Sequence, residues 1–126
     1  MLALTVLLTV LAGPTPAASR DQCRPPAADF RDDESPPNLD GAIQSIREKC
    51  LQVVPRGQES GQKQTVCLGP KTRLFTVYGG FVEPRELAAG QRVHIWFQGC
   101  RPPRPRHTPV AAVVEVASLR PGEEFP

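Results

Sequence analysis

The sequence predicts an all-β protein, a small five-stranded barrel preceded by an irregular N-terminal arm. Apolar and β-branched residues recur at strand-like spacing from Gly41 to about Leu119. Turn signals containing glycine and proline separate these short segments, and no long segment has helical periodicity. The chain has 126 residues, enough for one domain once an N-terminal leader is set aside.

Residues 1–19 have the pattern of an export signal peptide. The apolar run Leu2–Leu11 is too short to span a bilayer, and helix breakers and then small residues follow it. Cleavage after Ala17 or after Ser19 leaves small side chains at the positions that a signal peptidase recognises. We therefore expect a secreted or periplasmic protein with no membrane span after signal removal. An uncleaved N-terminal anchor is the alternative.

Two short polar segments flank the predicted barrel. Residues 20–40 are rich in proline and acidic side chains and hold few large apolar groups, so we expect this arm to be irregular. Residues 120–126 form a polar tail. The barrel domain is therefore assigned to residues 41–119.

The first two strands are predicted on either side of a charged turn. Ala42–Ile46 and Leu51–Val54 flank Arg47-Glu48-Lys49. They form either a strand that bends back on itself or a strand that continues through a kink. Pro55–Gly61 then has the composition of a loop.

The four cysteines are most simply two disulfides, because a domain of this size has a small core and exported chains form disulfides readily. The sequence contains no Cys-x-x-Cys pair of the kind that would indicate a metal site. If the second and third strands pair across the loop Pro55–Gly61, Cys50 falls opposite Cys67 on the same face. By elimination Cys23 then bonds Cys100. Spacing leaves the other two pairings open.

The remaining strands are predicted from β-branched and aromatic content. Thr65–Leu68 begins the third strand, an interruption at Gly69-Pro70 follows, and Arg73–Tyr78 continues it. A short run before Gly90 favours one helical turn over residues 85–89. The fourth strand, residues 92–98, alternates and places Val93, Ile95 and Phe97 on the core face. Residues 110–119 form the last strand.

The order of these segments resembles small secreted bacterial β-barrels of unknown function that are related in shape to the OB fold. The segments that carry this resemblance are Gly41-Ala42-Ile43, Thr72–Phe75, Leu87–Ile95 and Val110–Val116. The resemblance covers residues 41–119 and implies an OB-like architecture without implying an activity.

The sequence contains no arrangement of residues typical of catalysis. Gly57–Gly61 has the wrong spacing for a nucleophile elbow. His94 and His107 are the two histidines, and their separation gives no metal-ligand register. We therefore expect a protein that is not an enzyme and that needs no cofactor or metal.

Two features are candidates for binding. The proline-rich loop Arg101–Pro109 spreads Arg101, Arg104 and Arg106 along an extended segment. Its alternative role is that of a stiff, solvated connector.

The second feature is an outer face that carries His94 and Trp96, with Tyr78 and Phe81 nearby, because such faces bind strands or sugars in OB-like barrels. The alternative for Trp96 is packing under the N-terminal arm.

These observations predict an exported, non-enzymatic binding or structural module of the bacterial envelope, whose partner is a protein or a polyanion. One alternative is a small protease inhibitor that presents the loop Arg101–Pro109. Another is a polyanion or oligonucleotide binder. The net charge of only +2 weighs against the last, because nucleic-acid-binding domains are usually more basic.

Overall fold

The computed structural model describes residues 23–26, 34–58, 61–102 and 104–126. The predicted signal peptide and much of the predicted arm lie outside these residues. The five strands are β1 Leu39–Arg47, β2 Cys50–Pro55, β3 Gln64–Thr76, β4 Arg92–Phe97 and β5 Val110–Val116. They form one closed barrel in the order β1-β2-β3-β5-β4. All neighbours are antiparallel except β3 and β5, which are parallel. The predicted all-β, five-stranded barrel is confirmed.

Strands β1 and β2 form a tight hairpin, so the chain bends back at the predicted turn. Arg47 pairs with Cys50, which leaves only Glu48 and Lys49 in the turn. Glu48 has a φ of 57°. At the other end of the hairpin, a Cβ on Gly41 would lie 2.8 Å from Cγ1 of Val53. The close approach of the two strands therefore requires glycine at position 41.

Strand β3 is one long strand and is not interrupted at Gly69-Pro70, so that part of the prediction was wrong. A bulge forms there instead, because four residues of β3 lie between Leu68 and Arg73 whereas only Ala112 lies between their partners Ala111 and Val113 on β5. The Thr72 hydroxyl holds the bulge, because it accepts a hydrogen bond from the Gly69 amide at 2.8 Å and donates one to the Ala111 carbonyl at 2.6 Å. A bulge keeps a bent strand within the sheet.

Both predicted disulfides are present. Cys50 lies directly opposite Cys67 in the β2–β3 ladder, with the two Cα atoms 3.9 Å apart. Cys23 bonds Cys100 across a sequence separation of 77 residues. The first bond therefore ties two neighbouring strands together, and the second ties the arm to the segment that follows β4.

The barrel core contains the predicted face of β4, with Val93, Ile95 and Phe97 all buried. A smaller apolar cluster of Phe75, Trp96 and Val113 lies apart from this core, with Cys100 packed against it. The two clusters form because β4 and β5 bury side chains on both of their faces.

The segment between β3 and β4 closes one end of the barrel. A 3₁₀ turn covers Pro84–Glu86, earlier than the helical turn predicted over residues 85–89. Leu87 is buried in the core and Gly90 has a φ of 92°.

The last strand ends at Val116 and not at Leu119, where the prediction placed its end. Among the described residues, no helix has the length and apolar character needed to cross a membrane.

Candidate functional site

Trp96 does not present an open ring face to a ligand in this structure. Its side chain is only 2% exposed and packs with Phe75 and Val113. The indole Nε1 donates a hydrogen bond to the Ser35 carbonyl at 2.7 Å. Packing under the N-terminal arm, the alternative considered for this residue, is therefore what the structure shows.

His94 is partly covered by the C-terminal tail. The ring of Phe125 stacks parallel on the imidazole, with the ring centroids 3.7 Å apart. The imidazole Nε2 lies 3.4 Å from Asp40, and Nδ1 lies 3.5 Å from Glu115. The Glu34 side chain is exposed, but partial desolvation of its carboxyl raises its pKa, the negative charge of Glu115 raises it further, and His94 lowers it. This part of the outer face is therefore acidic.

The other two aromatic residues of the predicted face lie elsewhere. Tyr78 is 77% exposed and Phe81 is 85% exposed. Both belong to the segment between β3 and β4. Tyr78 borders an open cavity of about 460 Å³ beside Leu119 and Glu123 of the C-terminal segment. The predicted aromatic face is therefore divided between a buried residue, a covered histidine and two separate exposed rings.

The arginine loop is exposed and is fixed at both ends. Arg101, Arg104 and Arg106 are all exposed. At the start of the loop, Cys100 is held by its disulfide to Cys23. At its end, the Cys67 amide donates a hydrogen bond to the Pro109 carbonyl at 3.0 Å. The predicted arginines therefore lie on an exposed segment that is fixed by a disulfide at one end and by a backbone hydrogen bond at the other.

A second basic segment meets this loop beside the Cys50–Cys67 disulfide. Strand pairing places Arg47, Cys50, Cys67 and Val110 in one row across β1, β2, β3 and β5. The Leu68 amide also donates to the Lys49 carbonyl at 2.7 Å. The β1–β2 turn, the middle of β3 and the start of β5 therefore converge at one end of the barrel.

We call the exposed cations of this end the basic rim. They come from three segments of the chain: the β1–β2 turn, the bulge of β3 and the β4–β5 loop. All are exposed, and none has a carboxylate partner within the described residues. Glu48 is the one described acidic residue among these segments. The basic rim consists of Arg47, Lys49, Lys71, Arg73, Arg101, Arg104 and Arg106.

Charges at the opposite end of the barrel are paired. Arg92 lies 3.1 Å from Glu124, and Arg56 lies 3.7 Å from both Asp40 and Glu124. Strand β1 runs seven residues from Asp40 to Arg47, about 23 Å at the rise of an extended strand. This exceeds the Debye length of about 8 Å at physiological ionic strength. The acidic end therefore does little to neutralise Arg47 and Lys49, whereas Arg73 lies only two residues along β3 from the partner of Glu115.

A row of uncharged polar side chains lies next to the basic rim. Ser45 pairs with Gln52, and Gln52 pairs with Thr65, two residues along the strands from the row of Arg47 and Cys50. The Ser45 hydroxyl donates to Oε1 of Gln52 at 3.0 Å. Within the described part of the chain, Nε2 of Gln52 and the Thr65 hydroxyl make no hydrogen bond. They remain available to a ligand.

The described residues contain no group of three or more His, Cys, Asp or Glu side chains placed to hold a metal ion. The chemistry that the basic rim offers is the binding of anions. Its guanidinium groups form paired hydrogen bonds to carboxylate, sulfate or phosphate oxygens.

Sequence reasoning found the arginine loop but missed the other four cations of the rim. A usable signal was present, because the predicted Cys50–Cys67 register already places Arg47 and Lys49 beside the third strand. Lys71 and Arg73 were missed because the sequence does not reveal the bulge that presents them.

Comparison with protein-family models, curated proteins and solved structures finds no match to this chain.

Proposed function

We propose that this protein is an exported, non-enzymatic binding module that binds a negatively charged partner through the basic rim. One observation carries the proposal: seven exposed cations from three separate segments converge without a carboxylate partner among the described residues. A fold rarely concentrates unpaired like charge at one end unless something binds there, because the mutual repulsion destabilises it.

Export is supported by the signal-type sequence of residues 1–19 and by the two disulfides. All cysteines of the chain are paired, which fits an oxidising compartment such as the periplasm or the extracellular space. The signal sequence favours a secreted or periplasmic location. The bacterial envelope is proposed on the resemblance to small secreted bacterial barrels.

We propose no catalytic role for His94, the one histidine on the barrel wall. It lies between Asp40 and Glu115 beneath the ring of Phe125.

The direct test is retention on immobilised heparin at increasing salt. We expect the native protein to elute above physiological salt and the variant Arg101→Glu, Arg104→Glu, Arg106→Glu to flow through, because long-range binding depends on the number of cations. The matched control is Arg56→Glu, Arg85→Glu, Arg120→Glu, which makes the same change in net charge at three exposed arginines outside the basic rim. Loss of retention by both variants alike, or no retention of the native protein at low salt, would contradict the proposal.

A protease inhibitor that presents the arginine loop is the second candidate. The exposure of the loop and its attachment at both ends favour this role. Proline follows both Arg101 and Arg104, and Arg106 has a φ of 70°, which is not the extended backbone of a bound substrate. The candidate predicts stoichiometric inhibition of a trypsin-like enzyme that is lost in Arg104→Ala.

A further inference from the structure

The uncharged row beside the basic rim identifies the kind of anionic partner. We infer that the ligand is an anionic polysaccharide, whose acidic groups bind the rim and whose sugar hydroxyls bind Gln52 and Thr65. This inference rests on the proposed function and assigns its ligand class.

The charged part of the rim suits small oxyanions on a polymer. Five of its seven cations are arginines, namely Arg47, Arg73, Arg101, Arg104 and Arg106. The planar guanidinium group binds carboxylate and sulfate oxygens in pairs, whereas lysine acts as a point charge. The row from Arg47 to Val110 crosses four strands, which is about 14 Å at the usual spacing between strands. The rim is therefore long enough for several units of a polymer.

The polar row lies close enough to share that ligand. Residues two apart on one face of a strand are separated by about 7 Å. The row of uncharged polar side chains that contains Gln52 therefore lies about 7 Å from the row that contains Cys50. Because the Ser45 hydroxyl bonds Oε1 of Gln52, the Nε2 of that amide is left to donate outward. The exposed Thr65 hydroxyl can donate or accept. Such groups match the hydroxyls of a sugar.

The same surface lacks what a single-stranded nucleic acid requires. Binding of single strands relies on bases stacking on aromatic side chains. The exposed Tyr78 and Phe81 lie in the segment between β3 and β4, and Trp96 is buried. Phe97 lines a cavity of about 210 Å³ beside Arg101 and Arg104 but is only 3% exposed. His107 is therefore the one exposed aromatic ring among the described residues of the rim segments and the polar row. Recognition there depends on charge and hydrogen bonds.

The test compares two probes of equal charge, a heparin-derived oligosaccharide and an oligothymidylate, on the native chain and on Gln52→Ala with Thr65→Ala. We expect the oligosaccharide to bind the native protein more tightly than the oligothymidylate. Each lost hydrogen bond should weaken oligosaccharide binding about twofold to tenfold. Binding of the oligothymidylate and the salt dependence of both probes should stay unchanged, because no charge is removed. Unchanged oligothymidylate binding also shows that the variant is folded.

Equal affinity for the two probes, or native oligosaccharide affinity in the double variant, would overturn the inference and leave the anion-binding proposal intact. Failure of the native protein to bind either probe would overturn both.

Discussion

Replacing Gln91 with Met would test how the barrel end is closed. Gln91 is the one buried polar side chain among the described residues, with 0% exposure. Its Oε1 accepts a hydrogen bond from the Ala88 amide at 2.9 Å. Its Nε2 donates to the carbonyls of Glu86 and Leu119, both at 3.0 Å. One side chain thus joins the segment before β4 to the segment after β5.

The expected cost follows from the three backbone groups that lose their partner. Methionine has nearly the volume of glutamine, so little cavity is formed. Each of these partly buried backbone groups costs about 1 kcal/mol or more when it is left without a hydrogen bond. We therefore expect Gln91→Met to lower the free energy of unfolding by about 3–5 kcal/mol, a large part of the 5–15 kcal/mol typical of a domain.

The measurement is urea unfolding of the oxidised protein, with free energies taken by linear extrapolation. Gln98→Met is the matched control, because Gln98 is exposed and makes no side-chain hydrogen bond within the described residues. The control should change stability by less than about 0.5 kcal/mol. A loss under about 1 kcal/mol in Gln91→Met would refute the reasoning, since the three hydrogen bonds would then contribute no more than surface contacts.

Three further predictions concern the disulfide, the arm and pH. Replacing Cys50 and Cys67 with Ser should lower the free energy of unfolding by about 3 kcal/mol, the chain-entropy value for a separation of 17 residues; an unchanged urea midpoint would contradict it. Trp96→Phe removes the hydrogen bond to Ser35 and should cost about 2 kcal/mol in the same assay, whereas a native midpoint would show that the arm contact contributes nothing. Because the pKa of Glu34 is raised in the folded state, its favourable contribution is present at low pH and lost as pH rises through that pKa. Glu34→Gln should therefore have a higher free energy of unfolding than the native protein at pH 7, by less than about 1 kcal/mol because the side chain is exposed. Below the ordinary pKa of glutamate the two proteins should be equally stable. A stability difference that grows on acidification would contradict this prediction.

Local sequence patterns were enough to predict most of the barrel. The alternation of Val93, Ile95 and Phe97 placed one face of β4 in the core, and the structure buries all three. The Cys50–Cys67 pairing followed from counting residues across one loop, because a hairpin fixes its own register. Short-range rules of this kind work where neighbours in sequence are also neighbours in space.

The predictions failed where distant segments determine the structure. Gly69-Pro70 has the composition of a strand break, yet Thr72 and the parallel neighbour β5 keep β3 continuous through a bulge. Gln91 follows a glycine and has the appearance of a loop residue, but carbonyls from two separate segments bury it. The hydrogen-bond partners of Thr72 and Gln91 cannot be deduced from the local sequence, because both sets of contacts depend on tertiary packing.

The net charge does not describe the charged surface of this protein, for a related reason. A total of +2 weighs against polyanion binding, but it adds charges that are distributed over the whole fold. The carboxylates Asp40, Glu115 and Glu124 lie close to His94, Arg92 and Arg56. The cations of the basic rim have no carboxylate partner among the described residues. This distribution of charge depends on the fold and cannot be calculated from the composition.

Both disulfides lie beside the basic rim. The Cys50–Cys67 bond lies in the row that holds Arg47, and the Cys23–Cys100 bond ends beside Arg101. Like charges brought together by folding repel one another and lower stability. Each cross-link opposes the separation that this repulsion favours, in a domain whose core is small. Salt should therefore raise the free energy of unfolding by screening the rim, while it weakens the anion binding that we propose.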